Sequence, residues 1–300
     1  MTGRICLFFM IILLGTNLFS CADKVRVFVS ILPQEYFVER VGGDHVEVKA
    51  LVRPGHSPAT YSVTPSQMVD LARADLFFST GVPFENALIP RIKANLKKLK
   101  IVDTTQGITR RKMNADTGAD HHHDHHSGCD HSGEGLDPHV WMNPLLVKQQ
   151  AATICAALCT EDPDNAEKYR KNLKTFSSDL DELNRKLKKA LAPVKGRDIF
   201  VFHPAYGYFA DAYGLKQVAV EAGGKEPSAR ELISLIKNAR KQKVRVVFVQ
   251  PQFSDKSARV IAREINGTVC KLDPLARDYI KNMTRIARRI THGISGNPEK

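Results

Sequence analysis

The sequence predicts an α/β protein with two Rossmann-like lobes, each a mostly parallel four-stranded sheet flanked by helices, joined by one long rigid helix. In each half of the 300-residue chain, short β-branched segments alternate with amphipathic helical segments, which is the pattern of parallel βαβ units. Between the halves, residues 162–192 carry apolar side chains at intervals of three or four, with no glycine or proline between Pro163 and Pro193. This spacing predicts one amphipathic helix of nearly thirty residues.

Eight segments rich in β-branched and apolar residues predict the strands. They are residues 24–31, 46–52, 75–79, 100–103, 198–202, 217–220, 244–249 and 268–272. The other helices are predicted over residues 35–41, 84–98, 145–158, 206–213, 228–242, 255–265 and 279–290, with one more starting at residue 64. Capping boxes begin two of the helices, at Thr64–Gln67 and Ser228–Glu231. The predicted division is an N-terminal lobe at 23–160, a linking helix at 162–192 and a C-terminal lobe at 193–300.

The first twenty residues predict an export signal. Arg4 precedes an apolar run, residues 5–14, which is too short to span a membrane as a mature helix. Residues 18–21 read LFSC and resemble a bacterial lipobox, in which the cysteine is lipidated. We expect residues 1–20 to be removed, Cys21 to carry a lipid anchor, and the mature chain to be periplasmic or on the cell surface. A simply cleaved signal is the alternative.

The formal net charge of +12 raises the question of nucleic-acid binding. The sequence contains no Arg-rich arm, zinc-finger spacing or RNA-recognition aromatic motif. Its basic residues are spread through amphipathic segments such as 168–189. We therefore expect a solvated basic surface and no nucleic-acid partner.

The spacing of the cysteines gives little information about function. Cys155, Cys159 and Cys270 form no CxxC pair, which argues against a structural zinc site built from cysteines. A disulfide and buried free thiols both remain open for these three residues.

A histidine-rich tract gives the strongest chemical signal. Residues 120–131 read DHHHDHHSGCDH and hold six of the eleven histidines of the chain. Because the tract has almost no apolar side chains, it predicts a solvated loop over 116–133. Imidazole is a common ligand of zinc, copper and nickel, so the tract indicates transition-metal handling, with incidental affinity as the alternative. The candidate accessory ligands are His121, His122, His123, His125, His126 and His131.

A second, dispersed set of metal-binding side chains lies where the predicted strands end. His203 and Asp273 directly follow strands, His56 lies just beyond another, and His139 precedes a proline-capped helix. In open α/β sheets, ligands bind beyond the carboxyl ends of the strands. Three imidazoles and one carboxylate complete a four-coordinate shell for Zn²⁺ and favour it over Mn²⁺, which prefers oxygen ligands. A filled shell leaves no position for a reactive water, so the set predicts binding and no catalysis.

Motifs of the common enzyme classes are missing from the sequence. It contains no HExxH, GxSxG, GxGxxG or Walker segment. A metal-dependent hydrolase would need an open coordination position and a general base nearby. We therefore expect no enzymatic activity and keep a zinc-dependent hydrolase only as a contrasting hypothesis.

Four segments together resemble the metal-specific solute-binding proteins of bacterial ABC importers, in the zinc/manganese cluster. They read DPHVWMNP (137–144), FHPAYGYFADAYGL (202–215), GKEPS (224–228) and KLDPLA (271–276). The internal His-rich loop is typical of the zinc-uptake branch. The resemblance implies Zn²⁺ held between two lobes and delivered to an ABC permease with its ATPase, by an expected monomer. A manganese-specific member and a surface adhesin or zinc-storage protein are the alternatives.

One motif departs from the family pattern. The first-ligand motif of the family resembles P-G-x-D-P-H-T-Y, whereas residues 54–61 read PGHSPATY. Ala59 therefore stands at the usual ligand position, and we predict that His56 takes over as ligand; water or a loop histidine is the alternative. His139 and His203 stand at positions where the resembling family has metal-binding histidines. Asp273 matches the usual carboxylate, although a strand-end Asp-Pro can also cap a turn, and Glu221 is its rival.

The long linking helix carries an expectation about mechanism. A rigid helix resists wide hinge closure of the two lobes, so the resemblance implies that loop movement orders and releases the metal.

Overall fold

Two separate sheets of four parallel strands form the framework of the protein. A computed structural model of the chain describes residues 24–113, 135–221 and 226–296. The strands are β1 (Val25–Val29), β2 (Val46–Ala50), β3 (Leu76–Ser79), β4 (Lys100–Asp103), β5 (Asp198–Val201), β6 (Lys216–Ala219), β7 (Val246–Val249) and β8 (Thr268–Lys271). The strand orders are β2-β1-β3-β4 and β6-β5-β7-β8. Every pairing between these strands is parallel.

Nine helices within the described residues flank the sheets. They are α1 (Leu32–Gly42), α2 (Pro65–Leu71), α3 (Glu85–Asn95), α4 (Pro144–Glu161), α5 (Ala166–Leu191), α6 (Gly207–Tyr213), α7 (Ala229–Lys241), α8 (Lys256–Glu264) and α9 (Tyr279–Ile294). The predicted fold class is thus confirmed, with two sheets and a long helix between them. Among the described helices, none combines the length and apolar composition that a bilayer crossing requires.

The capping boxes act as the sequence predicts. Thr64 accepts a hydrogen bond from the backbone N–H of Gln67 at 3.3 Å, and the Gln67 side chain accepts one from the Thr64 N–H at 3.1 Å. Ser228 and Glu231 make the same reciprocal pair at 3.3 and 2.7 Å. These bonds satisfy backbone N–H groups that a helix start leaves without partners.

Several predicted helix limits differ from the observed ones by a few residues, and proline accounts for two of the differences. Helix α5 has 26 residues, shorter than the predicted 162–192, because short 3₁₀ turns at Pro163–Asn165 and Ala192–Val194 flank it. Pro193 has no N–H to donate to an i−4 carbonyl, so the α-helical ladder stops before it. Helix α1 begins at Leu32, three residues before the predicted start, because Pro33 fits the first helical turn.

One apolar core crosses both lobes. It includes the first sheet, the buried stripe of α5, helix α9 and the face of the second sheet that carries Val201 and Phe248. A smaller core lies on the other face of the second sheet, where Phe200 and Val247 pack with residues of α7 and α8. Helix α5 thus shares its buried face with both halves of the molecule.

Polar contacts also join the lobes. The Trp141 indole N–H donates to the Pro274 carbonyl at 2.8 Å, and the Tyr279 hydroxyl donates to the Trp141 carbonyl at 2.7 Å. Arg277 lies 3.0 Å from Glu35 of α1 as an ion pair. These links fix the segment after β8 against the first lobe.

Several sequence predictions lie outside the described residues. They are the export signal at 1–20, the anchor at Cys21 and the His-rich loop at 116–133 with its six histidines. The exact domain limits also stay predictions.

Candidate metal centre

A cavity of about 610 Å³ lies between the lobes, beside the carboxyl ends of the strands. The first lobe contributes Ala59 and Val82 to its wall, and the second contributes Phe253. His139 and His203 also line it. This location agrees with the general rule for open α/β sheets.

His139 stands at the start of a short 3₁₀ turn, Val140–Met142, just before α4. Its ring Nδ1–H donates to Asp137 Oδ1 at 2.7 Å, and its backbone N–H donates to the same oxygen at 2.9 Å. Asp137 is 1% exposed and His139 is 8% exposed. Because Nδ1 carries the proton, Nε2 keeps its lone pair for a ligand.

Asp137 is itself held by residues from both lobes. Arg111 Nε lies 3.8 Å from Asp137 Oδ2, and Arg111 Nη1 lies 3.1 Å from Asp211 of α6. The Tyr208 hydroxyl accepts from the Arg111 backbone N–H and donates to the Asp137 carbonyl, both at 3.0 Å. A Cβ at Gly207 would overlap the Arg111 guanidinium. Glycine at the start of α6 therefore makes room for the cation that supports Asp137.

His203 follows β5 and is held through its backbone and its ring. Gln250 accepts from the His203 N–H at 3.1 Å and donates to the His203 carbonyl at 2.7 Å. The ring Nδ1–H donates to Glu221 Oε1 at 2.6 Å, and the ring stacks on Phe253 with centroids 4.8 Å apart. These contacts fix the ring plane and leave Nε2 as the free nitrogen.

Burial lowers the pKa of the His203 imidazole below its ordinary value. The hydrogen bond to Glu221 opposes this shift, and the neighbouring His139 adds to it. The ring is therefore neutral at neutral pH, the form that binds metal.

The two imidazoles have the spacing of a shared zinc site. Their ring centroids are 5.3 Å apart with planes at 73°. With Zn–N bonds of about 2.1 Å and a tetrahedral angle, two imidazole centroids on one zinc lie roughly 5 Å apart. The observed separation of the His139 and His203 rings therefore matches that of two imidazoles on one zinc ion.

His56 does not lie in this cavity. Its side chain is exposed, its Nδ1 lies 3.2 Å from the Pro54 carbonyl, and its ring meets Tyr61 edge-on with centroids 5.9 Å apart. It borders a separate surface pocket beside Thr60 and Tyr61. The residue of the same loop that does face the cavity is Ala59.

Asp273 also makes contacts apart from the two histidines. Its Oδ1 accepts from the Leu275 N–H at 2.9 Å and from the Gln252 side chain at 3.0 Å. It borders a small separate cavity of about 40 Å³. The turn-cap role that the Asp-Pro sequence allowed is therefore present in the structure. Within residues 24–113, 135–221 and 226–296, no cluster of three histidine, cysteine or acidic side chains could hold a metal ion.

Two buried acceptors at the cavity have no donor within the described part of the chain. They are Glu221 Oε2 and Gln252 Oε1, and both residues line the cavity. Glu221 is only 2% exposed. A buried acceptor without a partner costs about 1–3 kcal/mol, so this wall of the cavity favours a cation or an N–H donor.

A family model described as "ZnuA: Zinc-uptake complex component A periplasmic" matches residues 27–293. The chain belongs to this family. ZnuA of Yersinia pestis is 29% identical over 282 residues, covering 89% of this chain and 88% of that protein. A crystal structure of ZnuA has a TM-score of 0.82 and 39% identity, covering 90% of this chain and 99% of the other. A zinc-bound ZnuA deletion mutant has a TM-score of 0.81 and 38% identity, covering 93% and 100%.

Membership of the ZnuA family confirms the resemblance seen in the sequence. The family consists of periplasmic zinc-binding receptors that work with an ABC permease, so zinc is the cargo. The family is a solute receptor and not an enzyme family. The hydrolase hypothesis is therefore set aside.

The sequence analysis did not predict the carboxylate partners of the two cleft histidines. Asp137 lies two residues before His139, and Glu221 lies two residues beyond β6. In the sequence, Asp137 was noted only as part of a motif, and Glu221 only as an alternative metal ligand to Asp273. A carboxylate two residues before a candidate ligand, or just beyond a neighbouring strand, was the available signal. Gln250 gave no comparable signal, because its role depends on the pairing of β5 with β7.

The described cysteines are free thiols. Cys155 Sγ lies 3.9 Å from Cys159 Sγ across one turn of α4. Burial raises the pKa of the Cys155 thiol to about 11, so it stays protonated and unreactive at neutral pH. The sequence allowed either a disulfide or free thiols at Cys155, Cys159 and Cys270, and the structure has free thiols.

Proposed function

We propose that the protein captures Zn²⁺ between the Nε2 atoms of His139 and His203 in the inter-lobe cleft and releases it to an ABC permease. The observation that carries the assignment is the pair of buried imidazoles with centroids 5.3 Å apart. Each ring has its Nδ1–H held by a buried carboxylate. Carboxylate–histidine pairs of this kind orient metal ligands and raise their basicity.

The electrostatics of the cleft support the choice of a divalent cation. Asp137 and Glu221 are buried carboxylates beside the two rings. Negative charge in a poorly solvated cleft raises the local concentration of cations and strengthens their binding. Nitrogen ligands at the centre favour zinc over manganese.

His56 and Asp273 remain proposed ligands of the same ion. His56 would have to turn from its contact with Tyr61, and Asp273 would have to release the Gln252 side chain. Both changes lie in loops, which agrees with the expectation that loop movement orders and releases the metal.

The test is a competition titration of zinc against a chromophoric chelator, with wild type, His139→Ala and His203→Ala. We expect one tight site in wild type and a loss of more than about a hundredfold in each variant, since supporting partners alone are worth 10–100-fold. His45→Ala is the matched control. His45 directly precedes β2, so it lies at the amino end of the strands, opposite to the cleft. Unchanged tight binding in both cleft variants would refute the assignment.

Delivery and anchoring complete the proposal. The export signal directs the chain across the membrane, Cys21 carries a lipid anchor, and the monomeric receptor docks on the permease that its ATPase drives. Metabolic labelling with a radioactive fatty acid should mark wild type and leave Cys21→Ser unlabelled. Label in the variant would remove the anchor from the proposal.

The His-rich loop is proposed as an accessory zinc-gathering segment. Its candidate ligands are His121, His122, His123, His125, His126 and His131. Deletion of 116–133 should lower the number of zinc ions bound while keeping the tightest site. Loss of the tightest site would instead make the loop the primary binder.

A further inference from the structure

We infer that Tyr61 holds His56 outside the cleft and thereby sets how tightly the protein keeps its zinc ion. The inference rests on the proposed function, in which the His56 ring must leave Tyr61 before it can bind the ion. It adds a positioning residue that opposes binding by one ligand and so favours release of the cargo.

The first observation is how the His56 ring is held. Its Nδ1–H donates to the Pro54 carbonyl at 3.2 Å. The ring meets the Tyr61 ring at an interplanar angle of 88°, with centroids 5.9 Å apart. An edge-to-face pair of this kind is favourable beyond the area that it buries. Both contacts must break before the ring can turn into the cleft.

Tyr61 is itself fixed to the first lobe. Its ring meets the Phe84 ring at 70°, with centroids 5.6 Å apart. Its hydroxyl donates to Gln67 Oε1 at 3.1 Å. Gln67 is 8% exposed, and its Nε2 donates to the Leu51 carbonyl at 2.8 Å. The Tyr61 ring is therefore a fixed surface, and His56 is the partner that moves when the two rings separate.

The loop that carries His56 separates two cavities. Ser57 and Thr60 line both the inter-lobe cavity and the surface pocket that His56 borders. A turn before this point is closed by the His56 N–H, which donates to the Arg53 carbonyl at 3.1 Å. A turn after it is closed by the Thr60 N–H, which donates to the Ser57 carbonyl at 3.3 Å. A local rotation between the two turns is enough to carry the ring across the loop.

The two positions of the His56 ring form an equilibrium in the zinc-loaded protein. The ring either stays on Tyr61 or binds the ion. An aromatic pair shifts such an equilibrium by a factor of about two to ten. The lost ring contact therefore offsets part of the new bond to zinc, a cost that His139 and His203 do not bear because their rings already line the cleft.

The test is a double-mutant cycle on Tyr61 and His56 in the mature protein, with zinc affinity measured by chelator competition. Tyr61→Leu keeps apolar bulk against Phe84 but removes the ring that His56 contacts. Zinc affinity should rise roughly two- to fivefold. His56→Ala should then cost several-fold in the Tyr61→Leu background and less than about twofold in wild type.

Two results of this cycle overturn the inference. One is an unchanged zinc affinity in Tyr61→Leu. The other is a gain of the same size when His56→Ala is present as well, because the effect would then not pass through His56.

Two further variants test whether the ring contact is the cause. Tyr61→Phe keeps the ring between Phe84 and His56 and should bind zinc within about twofold of wild type. Tyr36→Leu is the matched control, because Tyr36 of α1 also makes an edge contact at 5.9 Å, with Phe176 of α5, and it should leave zinc affinity unchanged. A gain in either variant as large as that of Tyr61→Leu would overturn the inference.

Two other measurements distinguish positioning from a general change in stability. Zinc-edge X-ray absorption should count more imidazoles per ion in Tyr61→Leu than in wild type. Release of zinc into excess chelator should slow by the same factor as the gain in affinity, with the rate of capture unchanged. A tighter site with an unchanged imidazole count would contradict the role of His56 as the added ligand.

The outcome separates this inference from the proposed function. If His203→Ala binds zinc as wild type does, the proposed function fails. If His203→Ala loses zinc but Tyr61→Leu binds it as wild type does, only the role of Tyr61 is wrong.

Discussion

The two histidines inside the cleft and the two candidate ligands outside it differ in what surrounds them. His139 and His203 are held through both ring and backbone by partners that are themselves packed. His56 lies exposed on a loop, and Asp273 is occupied as a turn cap. The two cleft histidines are therefore a preorganised part of the metal centre, built on a strand end and a helix start. The remaining ligands must be supplied by loop movement or by another molecule.

Among the residues that support the two ligands, the largest effect is expected from the carboxylate that contacts His139. Asp137→Asn keeps the shape of the side chain but removes its negative charge. That charge stabilises the Nδ1 proton of His139 and faces Arg111. Zinc affinity should fall about 10–100-fold, measured by chelator competition. Asp211→Asn is the control, because Asp211 also meets Arg111 but does not touch His139, and it should change affinity less than about twofold. Equal losses in both variants would mean that Arg111 acts without Asp137.

A smaller effect is expected from the glycine that makes room for Arg111. Gly207→Ala pushes the guanidinium away from Asp137, and zinc affinity should fall roughly three- to tenfold, within the range for supporting partners. Arg111→Ala should give a similar loss. The double variant should lose no more than the larger single one, because both act through one contact. Additive losses would contradict this coupling.

The pKa of His203 predicts a directional effect on the metal-free protein. The folded-state pKa lies below the ordinary value of 6.5, so the unfolded chain takes up the proton first as the pH falls. The free energy of unfolding should therefore decrease as the pH falls below about 6.5 and stop decreasing, for this group, below the folded-state pKa. Thermal unfolding of chelator-treated protein should show this slope, weakened in His203→Gln and kept in His45→Gln. An unchanged slope in His203→Gln would assign it to another group.

The smallest effect is expected outside the cleft. His56→Ala should lower zinc affinity by less than about twofold, because the His56 ring must give up its contact with Tyr61 in order to bind the ion. The same titration measures it. A loss as large as that of His203→Ala would show that His56 binds the ion as strongly as the two cleft histidines do.

The fold was predictable because its signals are local. The buried strands β3 and β7 read LFFS and VVFV, and the capping residues Thr64 and Ser228 mark helix starts that no tertiary contact needs to define. His139 and His203 were predictable for a related reason, since strand ends and a proline-capped helix place them at one edge.

The open half of the site was less predictable, because loop side chains follow backbone turns that spacing does not report. Gly55 adopts a positive φ of 80°, which is accessible to glycine at little cost. That turn helps to set which of the neighbouring side chains faces the cavity. Ala59 faces the cavity and His56 does not. The partnership of Glu221 with His203 depends on the pairing of β5 with β6, so it too needed the fold.

The shared apolar core has a consequence for how the protein unfolds. Since one core crosses both lobes and the Trp141 and Tyr279 bonds join them, neither lobe can lose its packing without exposing part of the other. We expect a single cooperative transition, in which calorimetric and van't Hoff enthalpies agree. Cargo bound to one pair of side chains then protects the entire molecule against denaturation and proteolysis.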